Sequence, residues 1–212
     1  MQSLGMGSWL PVALSADLPA GLVMPVRVPE GPVALWRSLS GRLSAFADRC
    51  PHRGMRLSHG FVRGETLSCI YHGWRYGETG ACLRIPAHPQ LEPPKAIRAK
   101  TWRTSEAGGV IWLALDEEAT ETPALPKGLQ AVRSLAADAT LASVEQAAGP
   151  AGEAAGLLSL GPARILLAPQ GAQTLIHVLV AEGADAAQRV AASRAAETLR
   201  REAEALEKEL AA

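Results

Sequence analysis

Two short segments of the sequence each pair a cysteine with a histidine. Cys50-Pro51-His52 is followed, after sixteen intervening residues, by Cys69-Ile70-Tyr71-His72. Two thiolates and two imidazoles suit a tetrahedral Zn²⁺ ion. They also suit a two-iron cluster in which two cysteines hold one iron and two histidines hold the other. Zinc sites usually pair like ligands within a segment, so the mixed pairs favour iron and sulfide, with zinc as the alternative.

Short predicted strands separated by turn residues surround these segments. Turn signals such as Pro29-Glu30-Gly31 and Gly77-Glu78-Thr79-Gly80 stand between runs of β-forming residues. This spacing favours an antiparallel sandwich or barrel over alternating strands and helices. The predicted strands are 22–28, 32–37, 42–47, 66–71, 81–85, 97–103 and 110–115.

The composition changes near residue 120, where we place a boundary between residues 1–120 and 121–212. All Trp, Phe, Tyr and Cys residues lie at or before Trp112, and the second region is rich in alanine. We predict a small α+β region there, with strands at 164–168 and 173–180 and a flexible loop at 147–161.

A C-terminal helix is predicted at about 185–212, with Asp185 as its N-cap. Its apolar face either packs on its own domain or docks onto another chain. The residues assigned to that face are Val190, Ala191, Ala195, Leu199, Ala203, Leu206 and Leu210.

Composition narrows the classes of function. The 21 basic and 21 acidic residues cancel, which gives no electrostatic case for nucleic acid or for an anionic membrane. No apolar run is long enough to span a bilayer, and the N-terminal residues do not have the pattern of a secretory signal. Three cysteines are too few for a disulfide framework. We therefore predict a cytoplasmic protein.

The sequence resembles the Rieske domain of the Rieske non-haem iron oxygenases, especially the vanillate demethylase-like and phthalate oxygenase-like branch. The resemblance covers residues 8–116. It is carried by Cys50-Pro51-His52-Arg53-Gly54 and by Cys69-Ile70-Tyr71-His72-Gly73-Trp74. Trp9-Leu10-Pro11-Val12-Ala13 and Gly109-Val110-Ile111-Trp112-Leu113 match the segments that flank the family's domain.

The resemblance implies a mainly β Rieske domain, an antiparallel β sandwich with two cluster-binding loops. It also implies a Rieske-type [2Fe-2S] cofactor. Cys50 and Cys69 would bind one iron, and His52 and His72 the other. Cys82 is then left as a buried free thiol, and we expect no catalytic residue in this chain.

Full oxygenases of the family carry a second site, a mononuclear iron held by two His and one carboxylate. After the two ligand histidines, only His59, His88 and His177 remain, and no Asp-x-x-His-x-x-x-His-like segment follows residue 120. We expect His177 to be a packed or surface residue of a strand. The C-terminal region is thus interpreted as a shortened catalytic region or an assembly element.

Three hypotheses of function follow. In the first, the chain is an electron-transfer subunit that takes single electrons from a flavin- or ferredoxin-type reductase. It would deliver them to the mononuclear iron of a catalytic oxygenase subunit, in a homo- or hetero-oligomer. In the second, it is a divergent oxygenase that hydroxylates aromatic rings or removes O- or N-methyl groups by itself. In the third, it is a redox-sensing or structural subunit.

Overall fold

The computed structural model describes residues 9–116, 119, 125, 127–149 and 157–210. These residues form two compact units. The central unit is Ser15–Ser105, and the terminal unit combines residues 9–14 with the described residues from Glu106 onward. No helix in the described part of the chain is long and apolar enough to cross a membrane.

The central unit contains two four-stranded antiparallel sheets. Strand order is β2-β3-β4-β9 in one and β5-β6-β7-β8 in the other. The strands are β2 (Val23–Val28), β3 (Gly31–Arg37), β4 (Leu43–Ala47), β5 (Phe61–Arg63), β6 (Thr66–Ser68), β7 (Arg75–Tyr76), β8 (Cys82–Arg84) and β9 (Thr101–Trp102).

The core of the central unit joins the two sheets to the cysteine segments. Trp36 on β3 and Phe46 on β4 meet edge to face, with ring centroids 5.5 Å apart. The same buried cluster includes Cys50, Cys69 and Tyr76. Burial of these aromatic rings supplies much of the apolar area that fixes the ends of β4 and β6, from which the two cysteine segments begin.

The terminal unit contains a three-stranded sheet of order β1-β11-β10 and a four-stranded sheet of order β12-β15-β14-β13. Two helices accompany them. The elements are β1 (Trp9–Leu14), β10 (Thr104–Ala107), β11 (Val110–Ala114), β12 (Leu129–Ala137), α1 (Leu141–Ala148), β13 (Leu157–Leu160), β14 (Ala163–Pro169), β15 (Thr174–Ala181) and α2 (Ala186–Leu210).

Both faces of strand β15 are buried. Ile176, Val178 and Val180 face a core that includes residues of α2, whereas Leu179 belongs to a second core with Trp9 and Trp112. This burial on both faces explains why the strand is a nearly continuous apolar run rather than an alternating one.

Helix α2 packs on its own sheet, through Ala192, Ala196, Leu199 and Ala203. Their spacing of four, three and four residues is that of one helical face. The predicted face was therefore partly wrong: Val190 is 49% exposed and Leu210 is 74% exposed. The helix has many alanines, so its sequence alone allows several candidate faces, and packing against the sheet selects one.

Both ends of α2 are fixed by polar contacts. Asp185 accepts a hydrogen bond from the backbone N–H of Gln188 at 2.8 Å, and Gln188 accepts one from the Asp185 N–H at 2.9 Å. This reciprocal pair confirms Asp185 as the N-cap. Near the other end, Glu207 accepts hydrogen bonds from Thr140 and Ser143 at the start of α1. These contacts lower the pKa of Glu207.

The division between units differs from the boundary predicted at residue 120. Trp9, Leu14 and Trp112 share a core with Leu157 and Leu179, so β1 and β11 pack with the C-terminal sheet. The predicted loop 147–161 was also partly wrong, because it contains the end of α1 and all of β13. Residues 150–156 of that loop lie outside the described residues.

His177 on β15 is fully buried in the terminal unit. Its Nδ1 lies 2.8 Å from Ser134 Oγ, and its Nε2 lies 3.4 Å from the carbonyl oxygen of Pro11. A neutral ring with Nε2–H donating to Pro11 and Nδ1 accepting from Ser134 satisfies both contacts. Burial lowers the pKa of His177 to about 4, which confirms it as a packed residue.

The buried His177 makes the stability of the terminal unit depend on pH. Its pKa is lower in the folded chain than in the unfolded one, so the unfolded chain binds more protons between about pH 4 and pH 6.5. The free energy of unfolding should therefore fall as the pH drops through this window, by about 3 kcal/mol from this residue.

Urea unfolding measured by far-ultraviolet circular dichroism checks this, since both described α-helices belong to the terminal unit. In His177→Gln the pH slope of the free energy should be smaller than in the wild type. In the control His88→Gln, which changes an exposed histidine, it should be unchanged. Equal slopes in the wild type and His177→Gln would contradict the prediction.

Candidate metal centre

The first cysteine segment, which we call loop 1 (residues 50–55), follows strand β4. The Cys50 N–H donates to the carbonyl oxygen of Met55 at 2.7 Å, and the Gly54 N–H donates to that of Cys50 at 2.8 Å. Gly54 has a φ of 72°, a left-handed conformation that glycine adopts at little cost. The two hydrogen bonds close the segment into a tight turn with Cys50 at its base.

Loop 2 (residues 69–74) follows strand β6 and is closed in the same way. The Cys69 N–H donates to the carbonyl oxygen of Trp74 at 2.9 Å, and the Gly73 N–H donates to that of Cys69 at 3.0 Å. Gly73 has a φ of 68°, and a Cβ on it would lie 3.1 Å from Pro86 Cγ. The loops thus share one backbone design, although one residue separates Cys from His in loop 1 and two do so in loop 2.

The two thiols are buried side by side at the base of the loops. Cys50 and Cys69 are each 3% exposed. Burial raises the pKa of the Cys69 thiol, and the neighbouring Cys50 thiol raises it further. Tyr76 Oη lies 3.1 Å from Cys50 Sγ, and burial with this contact raises the pKa of the phenol well above its ordinary value.

The two imidazoles meet at the tips of the loops. The ring centroids of His52 and His72 are 4.7 Å apart. Trp74 stacks on His52 at 4.2 Å with an interplanar angle of 6°, and Tyr71 contacts the His72 ring at 3.8 Å. His72 is exposed and His52 is half-buried. Burial lowers the pKa of His52, and the nearby His72 and Arg53 add to this shift.

The arrangement fits a two-iron cluster. The two loops supply a pair of buried sulfurs and a pair of adjacent imidazoles, which matches a cluster whose two irons have different ligands. In the described part of the chain, no three His, Cys, Asp or Glu side chains gather as the ligands of a single metal ion would. Tyr76 adds a hydroxyl that can donate to the Cys50 sulfur, and hydrogen bonds to ligand sulfurs tune clusters of this kind.

Two supporting residues were missed by the sequence analysis. Tyr76 stands seven residues after Cys69, and no motif marks it. Asp48 is buried just before loop 1, where its two carboxylate oxygens accept hydrogen bonds from the backbone N–H and the hydroxyl of Ser58, each at 2.7 Å. A lone aspartate before a cysteine gives no signal of this kind, because the partner lies ten residues away.

The remaining candidates are a third cysteine and two histidines. Cys82 is buried, as expected, and its thiol is 3.7 Å from the carbonyl oxygen of Arg84. Burial raises its pKa. His59 and His88 are exposed; His88 lies in a loop, whereas His59 is the last residue of a short 3-10 helix, Leu57–His59.

Comparison with known proteins identifies the type of domain that holds the site. A sequence profile described as the Rieske [2Fe-2S] domain matches residues 8–99. The oxidoreductase NdmD of Pseudomonas putida is 38% identical over 136 residues, which are 64% of this chain and 23% of NdmD. The protein TIC 55, chloroplastic, of Arabidopsis thaliana is 34% identical over 122 residues, 57% of this chain and 22% of that protein. The matched parts thus span less than a quarter of these two relatives.

Fold similarity extends further along the chain than sequence similarity. The crystal structure of apo dicamba monooxygenase superimposes with a TM-score of 0.76 at 19% identity, over 99% of this chain and 89% of that one. The likeness of fold therefore includes the terminal unit as well as the central one. With this profile match and the paired loops, the chain contains a Rieske domain, which indicates a Rieske-type [2Fe-2S] cluster.

Proposed function

We propose that this chain is the electron-transfer component of a Rieske oxygenase system. Cys50 and Cys69 hold one iron of the cluster, and His52 and His72 hold the other. When bound, the cluster accepts and donates single electrons. The chain takes each electron from a flavin- or ferredoxin-type reductase and delivers it to the mononuclear iron of a catalytic oxygenase subunit.

The observation that carries this proposal is the exposed edge of the histidine pair. The thiols are 3% exposed, whereas the His72 ring lies at the surface. A partner can therefore approach the imidazole side closely, while the sulfur side is kept from water by the core of the central unit. Trp74 stacks on the His52 ring, and this contact fixes the orientation of that ring.

The histidine of the terminal unit has a packing role, which is compatible with transfer of electrons to another chain. His177 is the only histidine after His88. It is buried in the core, and both of its ring nitrogens lie near hydrogen-bond partners. A mononuclear iron held by two histidines and a carboxylate would need ligands that these residues do not supply.

Metal analysis distinguishes the proposed electron-transfer component from an oxygenase that acts by itself. Protein purified without oxygen should contain iron and acid-labile sulfide in equal amounts, and its reduced form should give a Rieske-type paramagnetic resonance signal. After incubation with iron(II) and removal of loose metal by a chelator, nitric oxide should reveal no mononuclear iron(II). A retained extra iron that binds nitric oxide would overturn the electron-transfer role and favour an oxygenase acting alone.

The ligand assignment predicts that Cys50→Ala loses the cluster. One of the two thiolates would be missing, so bound iron and the visible absorption should fall close to zero, with loss of stability in the central unit. Cys82→Ala is the matched control, since Cys82 is buried in the same core but is not a proposed ligand. It should keep both signals. An unchanged spectrum in Cys50→Ala would refute the assignment.

The Tyr76 contact predicts a shift of the reduction potential. A hydroxyl that donates to a ligand sulfur stabilises the reduced state, which carries more negative charge. Tyr76→Phe should therefore lower the potential by roughly 40–65 mV, the one-electron equivalent of about 1–1.5 kcal/mol. Redox titration followed by circular dichroism in the visible range measures it. A potential equal to that of the wild type would show that the phenol does not act on the sulfur.

A further inference from the structure

The charges of this chain are divided between its two units. Of 21 basic and 21 acidic residues, 13 and 6 lie in Ser15–Ser105, which leaves 8 and 15 for the rest of the chain. The central unit thus carries a formal charge of +7, although the whole chain is neutral. The neutral net charge of the whole chain therefore does not describe the central unit alone.

Part of this positive charge collects around a cavity beside loop 1. The cavity has a volume of about 400 Å³ and is lined by Arg49, Arg56, Lys100 and Trp102, with Gly54 of loop 1. Arg49 lies along the loop, because a Cβ on Gly54 would be 3.5 Å from Arg49 Nε. Arg53, which follows the proposed ligand His52, adds a further exposed cation at the tip of the loop.

The acidic residues of the cavity leave these cations largely unneutralised. Asp48 is 4% exposed and its two carboxylate oxygens already accept hydrogen bonds from Ser58. Glu30 is the exposed carboxylate of the lining. By contrast, Arg42 on the same unit pairs with Glu65 and Glu78. Exposed cations held close together repel one another, and an anionic partner relieves that repulsion.

An apolar tip adjoins the basic residues. Ile70 and Tyr71 of loop 2 are 49% and 54% exposed, and Tyr71 contacts the ring of His72. The His52–His72 contact joins this tip to loop 1 and therefore to Arg53. An apolar centre around an exposed ligand histidine, with a charged rim, is the composition expected of a protein interface.

We propose that Arg49, Arg53, Arg56 and Lys100 form the rim of a docking surface for the electron donor, and that this donor is an acidic one-electron protein whose carboxylates enter the cavity. The inference rests on the proposed electron-transfer function. Docking brings the donor's redox centre to the exposed His72 edge. One electron then leaves the donor, which is oxidised, and the cluster is reduced by one electron with no bond made or broken.

The rate of reduction by an acidic plant-type ferredoxin tests the proposal. Such ferredoxins have lower reduction potentials than Rieske centres, so the transfer is downhill. Stopped-flow absorption of the holoprotein gives the second-order rate constant. Arg56→Glu and Lys100→Glu should each lower it by about fivefold to tenfold at low ionic strength. The difference from the wild type should shrink as salt screens the charges.

Arg63→Glu is the matched control. Arg63 is an exposed cation of the same unit. In the β5–β6 hairpin it lies opposite Thr66 in the strand register, at the end of the hairpin that is farther along the strands from Ser68 and loop 2. The Arg63→Glu substitution changes the unit's charge by the same amount as Arg56→Glu. Because Arg63 lies outside the proposed rim, this substitution should alter the rate of reduction much less. Reduction by dithionite and the visible spectrum should be the same in all variants, which shows that the cluster is intact.

The outcomes separate this inference from the proposed function. A protein without iron and sulfide would defeat the proposed function itself. A wild-type cluster that dithionite reduces but the ferredoxin does not would overturn the docking proposal. Equal rates in wild type, Arg56→Glu and Lys100→Glu would also overturn it. An equal loss in Arg63→Glu and Arg56→Glu would show that only the unit's total charge matters, and would overturn the assigned surface.

Discussion

The structure of the central unit depends on one constraint: two sulfurs must be buried together while two imidazoles stay at the surface. Each loop meets it with the same pair of backbone hydrogen bonds, from the cysteine N–H to the residue five positions later and from the glycine N–H back to the cysteine. These bonds satisfy polar groups that would otherwise be costly next to a core. The strand before each loop then places the cysteine of that loop at the same buried position.

The core of the central unit serves this constraint directly. Trp36, Phe46 and Tyr76 are fully buried in the same cluster as Cys50 and Cys69. Tyr76 combines packing with a hydroxyl directed at a sulfur, so it belongs to the fold and to the site at once. The residues packed around the proposed cluster ligands are thus the same residues that form the core between the sheets.

Polar residues have a different role in the terminal unit. Helix α2 is fixed by a capping box at its start and by Glu207 near its end, and its small residues cover one face of the sheet. His177 fills the other face as a neutral ring between Ser134 and Pro11. Polar residues there fix packing, in contrast to the exposed His72 of the central unit. The two units also differ in charge, and the basic one carries the proposed cluster ligands.

Local spacing in the sequence was enough to predict much of this protein. The paired Cys and His residues, the strands β2, β3 and β4, and the N-cap Asp185 all follow from patterns within a few residues, because coordination chemistry, turns and caps act over short distances. The sequence also predicted a Rieske domain, since its two loops are short and specific.

Only the tertiary structure decided which distant residues meet. Asp48 with Ser58, Tyr76 with Cys50, and His177 with Pro11 are joined across 10, 26 and 166 residues. The pairing of β1 with β11, and their packing with the C-terminal sheet, moved the boundary between units away from the change in composition. The face of α2 was decided in the same way. Such contacts depend on the shape and volume of a packed core, which no local period encodes.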